Sequence, residues 1–169
     1  MQIRPVRPEE CDALGLITVE AYRRLEGRTE LGSYEDELRA VSARTTDCEV
    51  LVAVEGDVLL GGVTYVPNPD STMSEFSDPD AAGVRMLAVH PCHQGAGVGR
   101  ALMESCIASA RAQNRRRIVL HSTPVMSIAQ GLYRRLGFVP APEMDVWFTD
   151  APYSKDEPLH LIGYVLPLE

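Results

Sequence analysis

The segment HQGAGVGRALM, residues 93–103, places a glycine at positions 95, 97 and 99 and then continues as a helix-forming run. An apolar, strand-like stretch over residues 84–89 precedes it, and Leu102, Cys106 and Ala110 recur at helical spacing. Free amides at a helix N-terminus attract anions, and glycine lets phosphate oxygens approach the backbone without meeting a Cβ. The order of strand, glycine loop and helix therefore predicts an anion-binding site.

Two well-known phosphate-binding loops do not fit this segment. A P-loop needs GxxxxGK followed by Ser or Thr, and no lysine or hydroxyl residue follows these glycines. A dinucleotide-binding loop needs GxGxxG, and its third glycine is missing whether the pattern starts at Gly95 or at Gly97. The pattern that remains, from Gln94 to Gly99, is Q-x-x-G-x-G, and a tight glycine-rich turn without a ligand is the alternative.

Helical and extended patterns alternate along the rest of the chain, and a length of 169 residues predicts one domain, 1–169. A short helix should open at Ser33, which forms a capping-box pattern with Asp36. Strands are predicted over 3–6, 49–56, 58–67, 83–91, 117–122 and about 159–166, with a hairpin joining the second and third, and further helices over 8–25, 97–113 and 127–136.

Composition argues against several classes of protein. No stretch approaches the roughly 18 consecutive apolar residues of a membrane span, and the residues after Met1 do not resemble a signal peptide. The four cysteines form no CxxC pair, so neither a disulfide framework nor a zinc site is predicted. His90, Cys92 and His93 lie close together, but no second cluster completes a tetrahedral site, and no metal is expected. We expect a cytoplasmic protein without a membrane partner.

The net charge of −8 is unevenly distributed. Residues 1–99 carry eight arginines and 17 acids (−9), residues 100–135 carry seven arginines and one acid (+6), and residues 136–169 carry one lysine and six acids (−5). A basic middle segment that begins at the glycine loop favours an anionic ligand there and a cationic partner elsewhere, and the acidic remainder disfavours nucleic acid. Alternatively, the arginines at 115–117 form only a solvated patch at a helix end.

The glycine loop resembles the pyrophosphate-binding motif of the GNAT N-acetyltransferase superfamily, Q/R-x-x-G-x-G/A. RMLAVHP, residues 85–91, is similar to the central strand of that family, and AQGLYRRLGF, residues 129–138, is similar to its A-x-x-L-Y-x-x-x-G-F motif. These motifs span residues 84–138 in the family's order. The resemblance implies an α/β (α+β) fold with a mixed, largely antiparallel central sheet flanked by helices, in which two central parallel strands splay to hold acetyl-CoA.

The resemblance also implies which residues hold acetyl-CoA. The backbone of Leu87, Ala88 and Val89 would bind the pantetheine arm and polarise the acetyl carbonyl. Met126 replaces an asparagine that many members carry seven residues before the motif tyrosine, so a packing contact would replace a polar one. The remaining cofactor-binding residues would be Gln94, Gly95, Ala96, Gly97, Val98, Gly99, Arg100, Ala101, Ala129 and Tyr133.

Tyr133 aligns with the family tyrosine that protonates the departing thiolate, which makes it the expected general acid. The alternative is a core tyrosine, since Leu132 and Leu136 accompany it on the helix. A base is needed as well, because deprotonating an alkylammonium of pKa ~10.4 at pH 7 costs roughly 4.6 kcal/mol. Many members place a glutamate on or just before the central strand, where this chain has Gly83 and Val84.

Acidic residues near that strand are the candidates for the base. Glu75 is the preferred candidate, followed by Asp78, Asp80 and Glu20, and the alternative for each of these acids is a solvated surface position without a catalytic role. His121 at a strand end is more typical of a core histidine.

We therefore expect an acetyl-CoA-dependent N-acetyltransferase that acts on a primary amine of a small molecule, by direct attack in a ternary complex. The acceptor is expected to be cationic and to contact Tyr22, the acidic loop over 68–80 and the segment around Trp147 and Tyr153. A peptide N-terminal acetyltransferase and a non-catalytic acyl-CoA-binding module are the alternatives. The oligomeric state stays open, a homodimer included.

Overall fold

The computed structural model describes residues 1–25, 31–148 and 159–169, whose strands form an open, mostly antiparallel sheet flanked by helices. The strands are β1 Gln2–Pro5, β2 Glu49–Glu55, β3 Val58–Val66, β4 Ala81–Val89, β5 Arg117–Ser122, β6 Val139–Pro140, β7 Val146–Phe148 and β8 Leu159–Pro167. Their order across the sheet is β1-β2-β3-β4-β5-β8-β6, and β7 also pairs with β8. The predicted mixed, largely antiparallel fold is confirmed.

Helices cover both faces of the sheet, as the alternation along β2 shows. In the described residues the helices are α1 Cys11–Arg23, α2 Tyr34–Arg39, α3 Val41–Arg44, α4 Val98–Ala112 and α5 Ser127–Arg135. Leu51 and Ala53 pack in the same core cluster as Leu102 of α4, whereas Val52 packs with Leu14 of α1. Because successive strand residues point to opposite faces, α1 and α4 lie on opposite sides of the sheet. No helix among the described residues is long and apolar enough to cross a membrane.

Two details of the early helices differ from the prediction. The helix expected from residue 8 starts as a 3₁₀ turn, Pro8–Glu10, before α1 begins. The capping box at Ser33 is wrong, because Ser33 has helical φ and ψ of −64° and −18° and makes no capping hydrogen bond, whereas an N-cap residue is normally extended. Ala40, with ψ of 54°, then interrupts the helix and separates α2 from α3.

The parallel pair β4–β5 at the centre of the sheet is short. Residues 81–83 pair with residues 117–119, and the two strands do not pair beyond that point. On their outer edges both strands continue, β4 paired with β3 as far as Val89 and β5 paired with β8 as far as Ser122. Each strand is therefore held by its outer neighbour, β4 by β3 and β5 by β8, while the two separate from each other. The expected splay between two central parallel strands is confirmed.

A β-bulge lies in β4 just after this separation. Met86 adopts a left-handed conformation with φ of 53°, which is uncommon for a residue other than glycine. The register with β3 shifts between Gly62 and Thr64, so β4 carries one extra residue there. A bulge increases the local twist of a strand and changes the direction of its remaining residues. Residues 87–89, on the far side of this bulge, line the gap that the splay opens.

Candidate active site

The gap between β4 and β5 opens into a cleft of about 900 Å³. Its inner walls come from the second half of β4, the glycine loop, the end of β5 and α5, and its outer end is formed by parts of α1, α2, β7 and β8. A concave site of this size is typical of small-molecule and cofactor binding. The cleft thus collects segments that are far apart in the sequence.

Two left-handed glycines give the glycine loop its shape. Gly95 has φ of 82° and Gly97 has φ of 80°, and the Gly97 carbonyl accepts the first bond of α4, 3.0 Å from the Ala101 nitrogen. A Cβ built on either glycine would meet no other atom within 4 Å. Conformation rather than crowding therefore requires glycine here, because other L-residues rarely adopt such φ values. The open space leaves room for phosphate oxygens at the start of a 15-residue helix.

Most of the expected cofactor-binding residues line this cleft. They are Leu87, Ala88, Val89, Gln94, Gly95, Gly97, Val98, Gly99, Arg100, Met126, Ala129 and Tyr133. Ala96 and Ala101 do not line the cleft. Ala96 is exposed, and the amide of Ala101 is used inside α4. The Gln94 side chain reaches back toward the end of β4, with its Nε2 3.5 Å from the Val89 carbonyl.

Four arginines supply positive charge to the cleft, two from the basic segment 100–135 and two from outside it. Arg24, Arg85, Arg100 and Arg135 line it, and Arg100 is paired with Glu104 at 2.8 Å. The three arginines at 115–117 lie elsewhere. Arg117 pairs with Asp78 at 3.0 Å, and Arg115 donates to the Pro79 carbonyl at 2.9 Å. These contacts agree with the alternative interpretation of the triplet as a surface patch.

Tyr133 presents a hydroxyl group to the cleft from a packed ring. The side chain is nearly fully buried, and its ring centroid lies 5.8 Å from that of Phe138 and 6.0 Å from that of Tyr164. Burial raises the pKa of the Tyr133 phenol far above its ordinary value, so the hydroxyl keeps its proton at neutral pH. Within the described part of the chain this hydroxyl has no hydrogen-bond partner. Tyr133 is therefore a core residue that also lines the cleft and keeps its phenol proton.

Glu75, the expected base, forms the middle of a charged chain along the cleft. Its Oε1 lies 3.0 Å from Nη2 of Arg85, and its Oε2 lies 3.1 Å from Nδ1 of His121. Arg85 also reaches Oε1 of Glu37 at 3.4 Å. All four residues line the cleft. The contact between Glu75 and His121 was not predicted from the sequence, because no local pattern links residues that are 46 positions apart.

The hydrogen bonds of His121 indicate that it is protonated when the pair is intact. Its Nδ1 faces the Glu75 carboxylate, and its Nε2 lies 2.8 Å from the Met144 carbonyl; both partners only accept hydrogen bonds. The bond to Glu75 raises the pKa of His121 above its ordinary value, burial opposes this, and the Met144 carbonyl adds to the rise. Burial alone would raise the pKa of Glu75, but the His121 bond and the Arg85 charge hold it below its ordinary value.

The other candidate bases are held outside the cleft lining. Asp78 pairs with Arg117, and Glu20 pairs with Arg24 on the surface of α1 at 2.8 Å. The Asp80 carbonyl accepts from the Arg116 amide in the turn that precedes β4. Of the four acids considered from the sequence, only Glu75 lines the cleft.

The outer end of the cleft is aromatic and apolar. Tyr22, Tyr34, Phe148, Leu159 and Leu161 line it. Trp147 was expected there and is not part of the lining. Side chains alternate along β7, so Phe148 points into the cleft while Trp147 stacks on His160, its register partner on β8, at 3.9 Å between ring centroids. Tyr153, the other aromatic residue expected at this end, lies outside the described residues.

The histidines and cysteines near the glycine loop have other roles in the structure. The His90 Nδ1 accepts from the Cys92 amide at 3.2 Å, in the turn that links β4 to the loop. No group of three His, Cys, Asp or Glu side chains is arranged to hold a metal ion in residues 1–25, 31–148 and 159–169.

The family of the chain follows from its match to a protein-family model. The family model described as acetyltransferase (GNAT) family matches residues 16–138 of the chain. The chain belongs to the GNAT acetyltransferase family. Among curated proteins none matches the sequence significantly.

Solved structures of other proteins share the fold over nearly the whole chain. A ribosomal-protein-alanine N-acetyltransferase from Brucella melitensis aligns with a TM-score of 0.74 at 20% identity, covering 99% of this chain and 100% of that one. yncA from Salmonella typhimurium, a putative acetyltransferase solved with its cofactor acetyl-CoA, aligns with a TM-score of 0.74 at 22% identity. The alignment covers 100% of this chain and 94% of that one. smu.2055 from Streptococcus mutans aligns with a TM-score of 0.76 at 18% identity, covering 100% of both chains.

The cleft fits acetyl-CoA, the co-substrate of GNAT enzymes. The left-handed glycines leave open space at the N-terminus of α4 for the phosphates, and the edge of β4 after the bulge is not paired with β5 and can bind an extended arm. Met126 lines the same cleft and offers a thioether, a weak hydrogen-bond acceptor.

Proposed function

We propose that this GNAT enzyme transfers the acetyl group of acetyl-CoA to a primary amine of a small molecule, by direct attack in a ternary complex. The observation that carries the proposal is the presence, in one cleft, of an unbonded tyrosine hydroxyl and a carboxylate–imidazole pair. Direct transfer needs one group that receives a proton from the amine and another that gives a proton to the departing sulfur. The cleft contains a group suited to each task.

Tyr133 is proposed as the general acid. Acetyl-CoA supplies the acetyl group as a thioester, and the thiolate that leaves it is stabilised by a nearby proton donor. The raised pKa of Tyr133 keeps its hydroxyl protonated before transfer, and the absence of an internal partner among the described residues leaves that proton available. Gln94 and Arg100, at the opening of α4, are proposed to bind the phosphates together with the loop amides.

Glu75 and His121 are proposed to act together as the base. Direct transfer from an ammonium of pKa ~10.4 to an ordinary carboxylate of pKa ~4.3 costs about 8 kcal/mol, so Glu75 alone is too acidic. The side chain of Glu75 is 33% exposed and can meet the amine, whereas that of His121 is 7% exposed and lies behind it. Above the raised pKa of His121, where the imidazolium has lost its extra proton, Glu75 therefore accepts the proton of the amine and passes it to Nδ1 of the neutral His121, which is the better proton store.

The shape and charge of the outer cleft support a compact amine as the acceptor. Aromatic side chains from α1, α2 and β7 line this end, and the carboxylates of Glu37 and Glu75 are partly exposed in the same cleft, although each is paired with Arg85. Arg85 lies between those two carboxylates and holds them in place. We propose that the acceptor is a small primary amine, with cationic amines preferred.

A panel of acceptors tests this function. The purified protein is mixed with acetyl-CoA and, in turn, with aliphatic diamines, amino alcohols, amino acids and alanyl peptides, and thiol release is followed together with the mass of the product. Turnover with small amines, and an acetylated product, supports the proposal. Turnover with peptides alone would assign the protein to N-terminal acetylation. Tight binding of acetyl-CoA without turnover on any amine would indicate a non-catalytic binding module.

A further inference from the structure

A glycine in β4 makes room for an aromatic side chain of the acidic loop over 68–80. Gly83 is the last β4 residue that pairs with β5, and its φ is not in the left-handed region, so its conformation does not require glycine. A Cβ built on Gly83 would lie 2.6 Å from Cε1 of Phe76, closer than two such carbons approach in real structures. The Phe76 ring therefore rests on the backbone of Gly83, which is a typical reason for a glycine inside a strand.

The same stretch of β4 also contacts the residue that precedes Phe76. Gly83 and Arg85 face the same side of the sheet, because strand residues alternate between its two faces. Phe76 packs at the level of Gly83, and Glu75 reaches the level of Arg85, 3.0 Å away, and of His121 on β5, 3.1 Å away. The position of the ring on Gly83 thus sets how far the Glu75 carboxylate extends into the splay between the strands.

Phe76 is itself held on two sides. Its ring packs against the apolar cluster that includes Val66 and Met73. Its carbonyl accepts from the Ser74 hydroxyl at 2.9 Å, and its amide donates to the same oxygen at 3.3 Å. The Cα atoms of neighbouring residues are only about 3.8 Å apart, so a displacement of this ring carries over to Glu75.

We propose that Phe76, seated on Gly83, is a positioning residue that keeps the Glu75 carboxylate in contact with His121. Phe76 touches neither the amine nor the cofactor in this role and acts only through Glu75. The inference rests on the proposed function for its effect on turnover, whereas its effect on the Glu75–His121 contact can be measured without any substrate.

The pKa of His121 reports the position of Glu75. It is followed by NMR of the imidazole ring, with the signal assigned by its loss in His121→Gln. The hydrogen bond to Glu75 is the largest contribution that raises this pKa, and the Met144 carbonyl adds to it, whereas burial and the Arg85 charge lower it. Asp145 also interacts with the charge of His121. Moving Glu75 away should therefore lower the pKa of His121 toward its ordinary value of about 6.5.

A double-mutant cycle tests the contact between the ring and the glycine. Gly83→Ala places a methyl group under the ring, and Phe76→Leu removes part of the ring without introducing a clash. Each single variant should lower the pKa of His121 and reduce kcat/KM for an alkylamine by about fivefold or more, with CoA affinity within about twofold of wild type. In the double variant the smaller leucine leaves room for the methyl group, so both quantities should return toward the wild-type values.

The cycle also defines what would overturn the proposal. A wild-type His121 pKa in either single variant, or losses that simply add in the double variant, would show that the ring does not position Glu75. If Gly83→Ala does not fold, Phe76→Leu alone decides the question. A lowered His121 pKa with full turnover would refute the Glu75–His121 pair as the base and leave the positioning role supported.

Val54→Ala is the control for a general loss of packing. Val54 is 5% exposed in β2 and packs in a cluster with Leu14, which does not include Phe76. Its truncation should lower the melting temperature and leave the His121 pKa and kcat/KM at their wild-type values. A lowered His121 pKa in Val54→Ala as well would attribute the effect to loosening of the whole fold and contradict the proposal.

Discussion

Tyr133 places a protonated phenol at the inner wall of the cleft while its ring is packed against Phe138 and Tyr164. Tyr133→Phe keeps this packing and removes only the hydroxyl. We expect kcat to fall roughly 10²-fold with CoA affinity within about twofold of wild type, because general-acid catalysis acts on the transition state and not on binding. Steady-state kinetics on a working acceptor and calorimetry with CoA measure the two effects.

Tyr164→Phe provides the control for this change. Tyr164 lies in the same aromatic cluster, but its hydroxyl is bound to Gln130 and does not line the cleft. This control should lose some stability and keep most of its turnover. If Tyr133→Phe also retains activity within about threefold, Tyr133 serves packing alone and the proton comes from another source.

The Glu75–His121 pair predicts an acid limb in the pH profile. Nδ1 of His121 receives a proton only after the imidazolium has lost one, so kcat/KM should fall as pH drops through the raised pKa of His121, above about 6.5. Glu75→Gln replaces the charged carboxylate that raises the pKa of His121 with a neutral amide. The acid limb of the kcat/KM profile should then move to lower pH, and the maximal value of kcat/KM should fall at least about tenfold.

An acceptor of low basicity separates this effect from titration of the amine itself. An aromatic amine is already neutral across this range, so it should show a weaker dependence on Glu75 than an alkylamine does. A profile that follows only the pKa of the acceptor, and does not move in Glu75→Gln, would contradict a role for the pair.

At the level of elements, the start of α4 depends on a glycine with positive φ. Gly97→Val forces a β-branched side chain into a left-handed conformation and fills the open space beside the loop. Acetyl-CoA affinity should fall at least about tenfold, as measured by calorimetry.

The β2–β3 turn supplies a control for backbone strain. Gly56 has φ of 58° and, like Gly97, no neighbour within 4 Å of a built Cβ, but it lies outside the cleft lining. Gly56→Val should lose comparable thermal stability and keep its affinity for acetyl-CoA. Equal losses of affinity in both variants would show that strain, and not the anion site, causes the effect.

Local sequence signals predicted the elements that carry the cofactor site. The helix predicted over 97–113 is observed as Val98–Ala112, because glycine spacing and an apolar repeat define its start and its buried face. Contacts between segments that are far apart in the sequence could not be predicted. The Glu75–His121 contact and the outward direction of Trp147 depend on how β4, β5, β7 and β8 align, and that register is set by the assembled sheet. The break at Ala40 was likewise not visible, because no proline or glycine marks it.

At the level of the whole molecule, the acidic flanks predict electrostatic attraction of cationic acceptors. The chain carries a net charge of −8, and the basic segment over 100–135 is expected to be occupied by a polyanionic co-substrate at its start. Raising the salt concentration above about 0.1 M reduces the distance over which exposed charges attract each other to below ~10 Å. The kcat/KM for a diamine should therefore fall several-fold between low and high salt, while the amino alcohol of the same length should change much less. Equal responses would show that the acidic flanks are ordinary solvated surface.

Trp147 gives the outer cleft an intrinsic optical probe. It is the single tryptophan of the chain, it is 59% exposed, and its indole stacks nearly parallel on the imidazole of His160. Indole emission is sensitive to quenching by an adjacent imidazole and to solvent, so its intensity depends on this stack. The next residue, Phe148, lines the cleft. We expect a ligand that displaces Phe148 to shift the short strand that carries both rings, so that the fluorescence of the single tryptophan reports acceptor binding without a label or a coupled enzyme.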